Sequence, residues 1–343
     1  MQFNTSKLTS ILNMEPLGLS PSTVYPMFLL GLATYCLILV FNLTLILTIA
    51  LNRQLHKPMF LLLINLPIND IMGATAFYPQ LITSLLSQDR TISQPACFLQ
   101  AVLVHLYGGG TLLILTAMAY DRYVAICCPF RYSVIMSSGK VARIIAAVWL
   151  TDIIVIGTIF CLFVKLRFCR SAITDMYCNN PSLMKLMCED TSINNYYGLF
   201  TAFLLQSIAL FAMFFTYIHI LLTCLLNKRA DTKSKAIRTC VTHLMVFFLF
   251  ELTTLFTVVS HRFDEVSPFL RRSIGVSFLV FPPILNPLIY GLNTREIRTK
   301  VLHLLLNKVS PFILTRGPGK QTFNTNTHKS FLHSSSEIFI LSN

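Results

Sequence analysis

Met118-Ala119-Tyr120-Asp121-Arg122-Tyr123-Val124-Ala125-Ile126-Cys127 closes a long apolar run with an acid and an arginine side by side. An arginine at the edge of hydrocarbon costs a few kcal/mol even on the mildest scale, so it persists only where it faces a protein interior or water and has a partner. Asp121 is the adjacent partner. The run ahead of this pair, from Ala96 onward, is long enough to cross a bilayer as a helix.

The rest of the chain repeats the pattern. Of its 343 residues 54% are hydrophobic and 12% charged, and the mean hydropathy of +0.66 exceeds what a soluble domain of this size carries. Apolar runs of membrane-crossing length fall at Tyr25–Leu51, Pro58–Leu86, Ala96–Cys127, Val141–Lys165, Tyr196–Leu226, Ala236–Ser260 and Leu270–Leu292. The fourth carries Asp152 and the seventh Pro282-Pro283, both tolerated in buried or kinked helices. The fold class read from this is an all-α membrane protein: a bundle of seven transmembrane helices over residues 25–292 between an N-terminal segment, 1–24, and a polar C-terminal part.

Charge orients the bundle. With residues 1–24 outside, 18 of the 27 Lys and Arg lie on the cytoplasmic side and 9 outside, which is the bias that positive-inside topology requires. Acids sharpen the contrast, leaving Asp70, Asp152 and Glu251 within the membrane. A basic balance confined to one face fits anionic lipid and a cytoplasmic partner rather than nucleic acid. An enzyme is not indicated either, since no nucleophile with a paired base, phosphate-cradling glycine loop or metal-spaced His/Cys cluster stands in a polar setting. No cofactor or metal is expected.

No basic segment with a short apolar core and small-residue cleavage site precedes the first run, so that helix itself is expected to direct insertion. Asn4-Thr5-Ser6 is then a glycosylation sequon on the outer side, whereas Asn42-Leu43-Thr44 lies inside a span and should be silent. Six cysteines fall in or at the inner ends of spans. Cys97, Cys169, Cys178 and Cys188 lie outside, and their spacing leaves all three pairings open.

Several separated motifs, spread from about residue 25 to residue 305, carry a resemblance. The Met118–Cys127 stretch, Leu55-His56-Lys57-Pro58-Met59-Phe60, Lys235-Ala236-Ile237-Arg238-Thr239-Cys240 with Thr242-His243-Leu244, and Pro283-Ile284-Leu285-Asn286-Pro287-Leu288-Ile289-Tyr290 resemble the signatures of vertebrate odorant receptors, a branch of the rhodopsin-like G-protein-coupled receptors. Phe60 replaces the usual Tyr, and Pro67 stands where Ser is common. The resemblance implies the disulfides Cys97–Cys178 and Cys169–Cys188, and a short amphipathic eighth helix over 293–307, opened by Asn293-Thr294-Arg295-Glu296-Ile297-Arg298.

It also implies roles. Asp121 and Arg122, with Tyr123, hold the resting state. Tyr217, His243, Asn286, Pro287 and Tyr290 belong to the machinery that changes on activation, when the sixth helix moves outward and admits a heterotrimeric G protein of the stimulatory type. Lys228, Arg229, Lys233, Lys235 and Arg238 rim that cleft. Asp70 marks a polar core with Asn286 as its neighbour; in the family this site can hold sodium, but Thr111, where odorant receptors often carry Glu, and Pro282, where related receptors often carry Asn, leave too few oxygen ligands to assert one. Residues 308–343 read as a disordered tail whose Ser and Thr offer phosphorylation and arrestin binding. Receptor-trafficking chaperones and the cilia of olfactory neurons at the plasma membrane follow from the same resemblance.

The ligand site is expected in the outer half. His105 stands 17 residues above Arg122, roughly 25 Å along the helix. Gly108, Gly109 and Gly110 follow it. Glu251 and Arg262 lie 11 residues apart, about 16 Å of rise and nearly one face, with Thr254 between them. In fish-like (class I) odorant receptors a histidine and an arginine at the positions of His105 and Arg262 go with acidic odorants, and an arginine fork suits a carboxylate. Glu251, where the family's Phe-Tyr-Gly motif has tyrosine, opposes a deeply buried anion and suits an amine. Val104 and Val280 stand where amine receptors carry aspartate and opsins the retinal lysine, so neither chemistry is supported. The rival readings are a chemosensory receptor for a small metabolite and an ion-coupled transporter or channel, which would need inverted repeats that the sequence does not show.

Overall fold

The computed structural model of the chain describes residues 11–15, 20–87, 89–226, 230–263 and 265–302, with the side chains of 230–239 and 242 left out. Asn4, Lys228, Arg229, the side chains of Lys233, Lys235 and Arg238, and the tail from 308 lie outside these residues.

Among the described residues seven helices are long and apolar enough to cross a membrane. They are α1 (Pro21–Leu51), α2 (Pro58–Ser87), α3 (Gln94–Cys127), α4 (Ser138–Cys161), α5 (Ser192–Leu226), α6 (Ala230–Ser260, with its apolar span at His243–Ser260) and α7 (Pro268–Asn293). An eighth, α8, runs over residues 295–302 and is tied back to the bundle by Lys57 Nζ, 2.8 Å from Glu296 Oε2.

Hydropathy marks where a helix crosses hydrocarbon, not where it starts, so the observed helices overrun the expected spans. α3 starts at Gln94, where Ser93 caps it by accepting from the Ala96 N–H and Pro95 occupies the first turn. α7 begins at Pro268, with Ser267 accepting from the Leu270 N–H. α4 is shifted toward the N-terminus, ending at Cys161 instead of Lys165. α2 breaks at Ile64 because Pro67 has no N–H for the Leu63 carbonyl and its ring crowds that turn.

α1 packs on α2 and α7, α7 on α6, and α6 on α5; α3 runs through the middle in contact with α2, α4, α5 and α6. The outward faces are apolar, with Leu29, Leu30, Phe211 and Phe214 all exposed; hydrocarbon is the solvent such a surface matches. A small sheet absent from the all-α expectation caps one end. β1 (Ile11–Met14) lies between β2 (Thr91–Ser93, antiparallel) and β3 (Ala172–Ile173, parallel), so the N-terminal strand clasps the long loop between α4 and α5.

Both disulfides have the expected pairing. Cys97–Cys178 joins the start of α3 to that loop and Cys169–Cys188 closes the loop on itself.

Candidate ligand cavity and polar lock

The loop that the disulfides pin down forms the roof of a cavity of about 170 Å³ between α3, α4, α5, α6 and α7. Tyr177, Asn179, Asn180 and Pro181 come from this loop, which continues into the short helix Asn180–Leu186 capped by Asn179. Val104, His105, Gly108 and Gly109 line it from α3, Gln206 from α5, and Thr254 from α6, with Arg262 just beyond the end of α6. Six of the seven residues expected to bind ligand therefore converge. Glu251 does not line the cavity: it is buried one turn below Thr254, with Oε2 unpartnered among the described residues.

His105 donates from Nδ1 to the Ala101 carbonyl at 2.8 Å and packs edge-on against Phe160. Arg262 is half-open at the mouth, where it donates to Asn195 Oδ1 and has no carboxylate partner among the described residues. Burial lowers its pKa from the ordinary value. The roof is held from beneath by a charge cluster that the sequence reading missed: Asp175 accepts from Ser182 and Asn179, lies 3.3 Å from His261 Nε2 and 3.8 Å from Arg271. Burial would raise the Asp175 pKa, but the hydrogen bond and charge of His261 and the bonds from Ser182 and Asn179 outweigh it and hold the carboxyl well below its usual range. An acid placed between two half-cystines of one loop was the available signal.

Below the cavity runs a buried polar core. Asn286 Nδ2 donates to both Asp70 oxygens at 3.2 and 2.9 Å. Thr111, expected beside Asp70, instead accepts from Asn69 at 2.9 Å. Among the described residues no three His, Cys, Asp or Glu converge as a metal site.

At the opposite end Asp121 is fully buried, with Oδ2 on Arg122 and Oδ1 accepting from Tyr132 at 2.8 Å. Arg122 shares a small cavity with His243 and Tyr290, and His243 is 2.6 Å from the Tyr217 hydroxyl. Tyr123 stands apart, packed against Phe215 and His219 on α5. Pro287 is buried within α7.

Seven membrane-length helices with a roofed cavity at one end and a buried acid–arginine pair at the other have the architecture of a seven-helix receptor for a small ligand. Comparison with known proteins narrows the class. A family model described as olfactory receptor matches residues 32–308. Human olfactory receptor 10J4 is 33% identical over 82% of this chain and 90% of its own. Human olfactory receptor 52K2 is 32% identical over 80% and 88%, and human olfactory receptor 51E1 33% identical over 79% and 85%. The chain belongs to the olfactory receptor family of the rhodopsin-like G-protein-coupled receptors, whose members are multi-pass membrane receptors for odorants that act through G proteins and are not enzymes.

Proposed function

We propose that this receptor detects a small organic anion, a carboxylate by preference, at the outer face of the plasma membrane and signals through a stimulatory G protein to raise cAMP. The observation that carries the anion reading is Arg262, an arginine at the mouth of the cavity whose side chain has, among the described residues, an amide oxygen for its partner. A guanidinium there gains a two-point partner when a carboxylate arrives. The resemblance to fish-like odorant receptors, in which an arginine at the position of Arg262 goes with acidic odorants, supports this reading. Glu251 lies beneath the cavity and not in its wall, and a carboxylate held at Arg262, 11 residues along the chain, is kept at the far end from it.

The orientation follows from charge: 18 of the 27 Lys and Arg would face the cytoplasm. The N-terminus, with Asn4 as a glycosylation site, and the disulfides then lie outside, where thiols oxidise. In this reading α6 swings outward on binding, Arg122 leaves Asp121, and the G protein enters between α3, α5 and α6. The tail offers sites for arrestin, and delivery to olfactory cilia relies on trafficking chaperones.

The test is cAMP accumulation in cells expressing surface-labelled receptor with the stimulatory G protein, against panels of carboxylic acids, amines and neutral odorants. Responses to acids that fall about tenfold or more in potency in Arg262→Ala are expected. Responses confined to amines or neutral odorants, unchanged in Arg262→Ala, would overturn the anion reading.

A further inference from the structure

The hydroxyls that line the cavity have already spent their hydrogens. Thr254 donates to the Phe250 carbonyl at 2.9 Å, Thr257 to Thr253 at 2.7 Å and Thr201 to Tyr197 at 2.9 Å. Toward the cavity each hydroxyl can only accept. This fixes the amide of Gln206 on α5. Its NH2 group is the one facing Thr254 Oγ1, at 3.2 Å, because that oxygen has no hydrogen to give. The Gln206 carbonyl is then left over: Gln206 is 6% exposed and lines the cavity, and its Oε1, shielded from water, has no partner among the described residues. Asn180 in the roof repeats the pattern, 5% exposed with Oδ1 unpartnered among the described residues. His105, with Nδ1 donating to Ala101, presents Nε2 as an acceptor in the neutral ring.

A buried acceptor without a donor is costly, and a ligand that supplies the donor recovers that cost on binding. We propose that the ligand is bifunctional: it carries a hydrogen-bond donor, a hydroxyl or ammonium group, at the end opposite its anionic group, and Gln206 selects for that donor. The inference rests on the anion reading for the end held at Arg262. Thr254, the contact of Gln206, lies eight residues from Arg262, about 12 Å along the helix, so the two polar ends are separated by an aliphatic chain of several carbons. The apolar walls between them, Val104, Leu112, Leu205 and Phe278, suit such a chain.

The experiment compares hexanoate with its terminal hydroxy and amino counterparts, and hexanol with the corresponding terminal diol, in the cAMP assay on the full-length receptor. The hydroxy acid or amino acid is expected to exceed hexanoate in potency by about tenfold, the worth of one buried hydrogen bond. In Gln206→Leu that ratio should fall to near one, and in Gln206→Glu it should move toward the ammonium ligand. Surface labelling separates a folding failure from a lost contact, and Gln206→Glu retains an acceptor if Gln206→Leu fails to reach the surface. Acid responses with no preference for a terminal donor, or a preference that survives Gln206→Leu, would overturn the inference while leaving the anion reading intact. A response to hexanol or the diol without any acid response, with a potency that falls in Gln206→Leu, would uphold the donor requirement and overturn the anion reading instead. Silence to all five compounds from surface-labelled receptor would overturn both.

Discussion

The Tyr107 hydroxyl donates to the Phe278 carbonyl across the bundle, at 2.9 Å. That carbonyl lies one helical turn before Pro282, which has no N–H to give it. Asn42 does the same for Pro283, one turn before Pro287, donating from Nδ2 at 2.8 Å. Two side chains from α3 and α1 thus repair α7 at two of its three proline breaks, so the helix stays hydrogen-bonded where hydrocarbon offers no substitute. Tyr107→Phe should lower stability by about 1 kcal/mol, the scale of such bonds in membranes. Thermal unfolding of detergent-solubilised receptor would show it. An unchanged midpoint would mean that water, not Tyr107, serves the carbonyl. A methyl group on Gly73 would overlap the Tyr107 ring, so Gly73→Ala should cost more than Tyr107→Phe.

Asp152 on α4 aims its carboxylate at α3, where Gly109 and Gly110 leave room for it. A methyl group on Gly109 would overlap Oδ1, and one on Gly110 would stand 3.3 Å from Oδ2. Among the described residues both oxygens lack partners, as does Asn69 Oδ1, which would be 2.8 Å from the same Gly110 methyl. Gly109→Ala should therefore destabilise the receptor by about 1–3 kcal/mol. The loss should be largely absent when Asp152→Ala is already present, since the small side chain vacates the space. Additive losses in this double-mutant cycle would show that the contact does not limit packing at this interface.

How much of this was legible in the sequence depends on the range of the interaction. The seven spans follow from hydropathy, and the Asp121–Arg122 partnership is adjacent in the chain, so both could be read directly. Asp70 with Asn286 needed the resemblance, because 216 residues separate them. The cavity was half legible. Residues on helices could be placed by rise and angle, as with Thr254 and Arg262. Its roof could not, because Tyr177, Asn179 and Asn180 are positioned by two disulfides and the Asp175 cluster instead of by a periodic pattern. Glu251 shows the limit of the helical argument: 11 residues return it to nearly the face of Arg262, yet cavity depth and neighbouring side chains leave it outside the wall. Asp152 had no sequence partner to suggest its direction, since what receives it is the bare backbone of Gly109 and Gly110.

In the proposed resting state the second oxygen of Asp121 has a partner beyond the adjacent arginine. Tyr132, in the loop after α3, donates to Oδ1 while Arg122 holds Oδ2; burial and the bond to Asp121 push the phenol pKa up, so it remains a donor. Tyr132→Phe should raise ligand-independent cAMP by a fewfold, about fivefold for each 1 kcal/mol of resting-state stabilisation lost. Asp121→Asn should raise it further, because it also removes the charge that retains Arg122. Basal cAMP normalised to surface receptor is the readout, and a decrease in both variants would show that these contacts serve the active state.

Asp175 sets the acid sensitivity of the roof. Its carboxyl titrates below the usual range in the folded receptor, so the unfolded chain takes up this proton first as pH falls. Its contribution is then fully present above the ordinary carboxylate pKa of about 3.9 and is lost as pH drops below that toward the folded value. Asp175→Asn removes an acceptor from Ser182 and Asn179 and the charge facing His261 and Arg271. It should lower stability by about 1–3 kcal/mol at neutral pH. The gap in unfolding midpoint between wild type and Asp175→Asn should hold between about pH 7 and 5 and close only below about pH 4. A gap that closed already between about pH 7 and 5 would show that the Asp175 carboxyl is not held below its usual range.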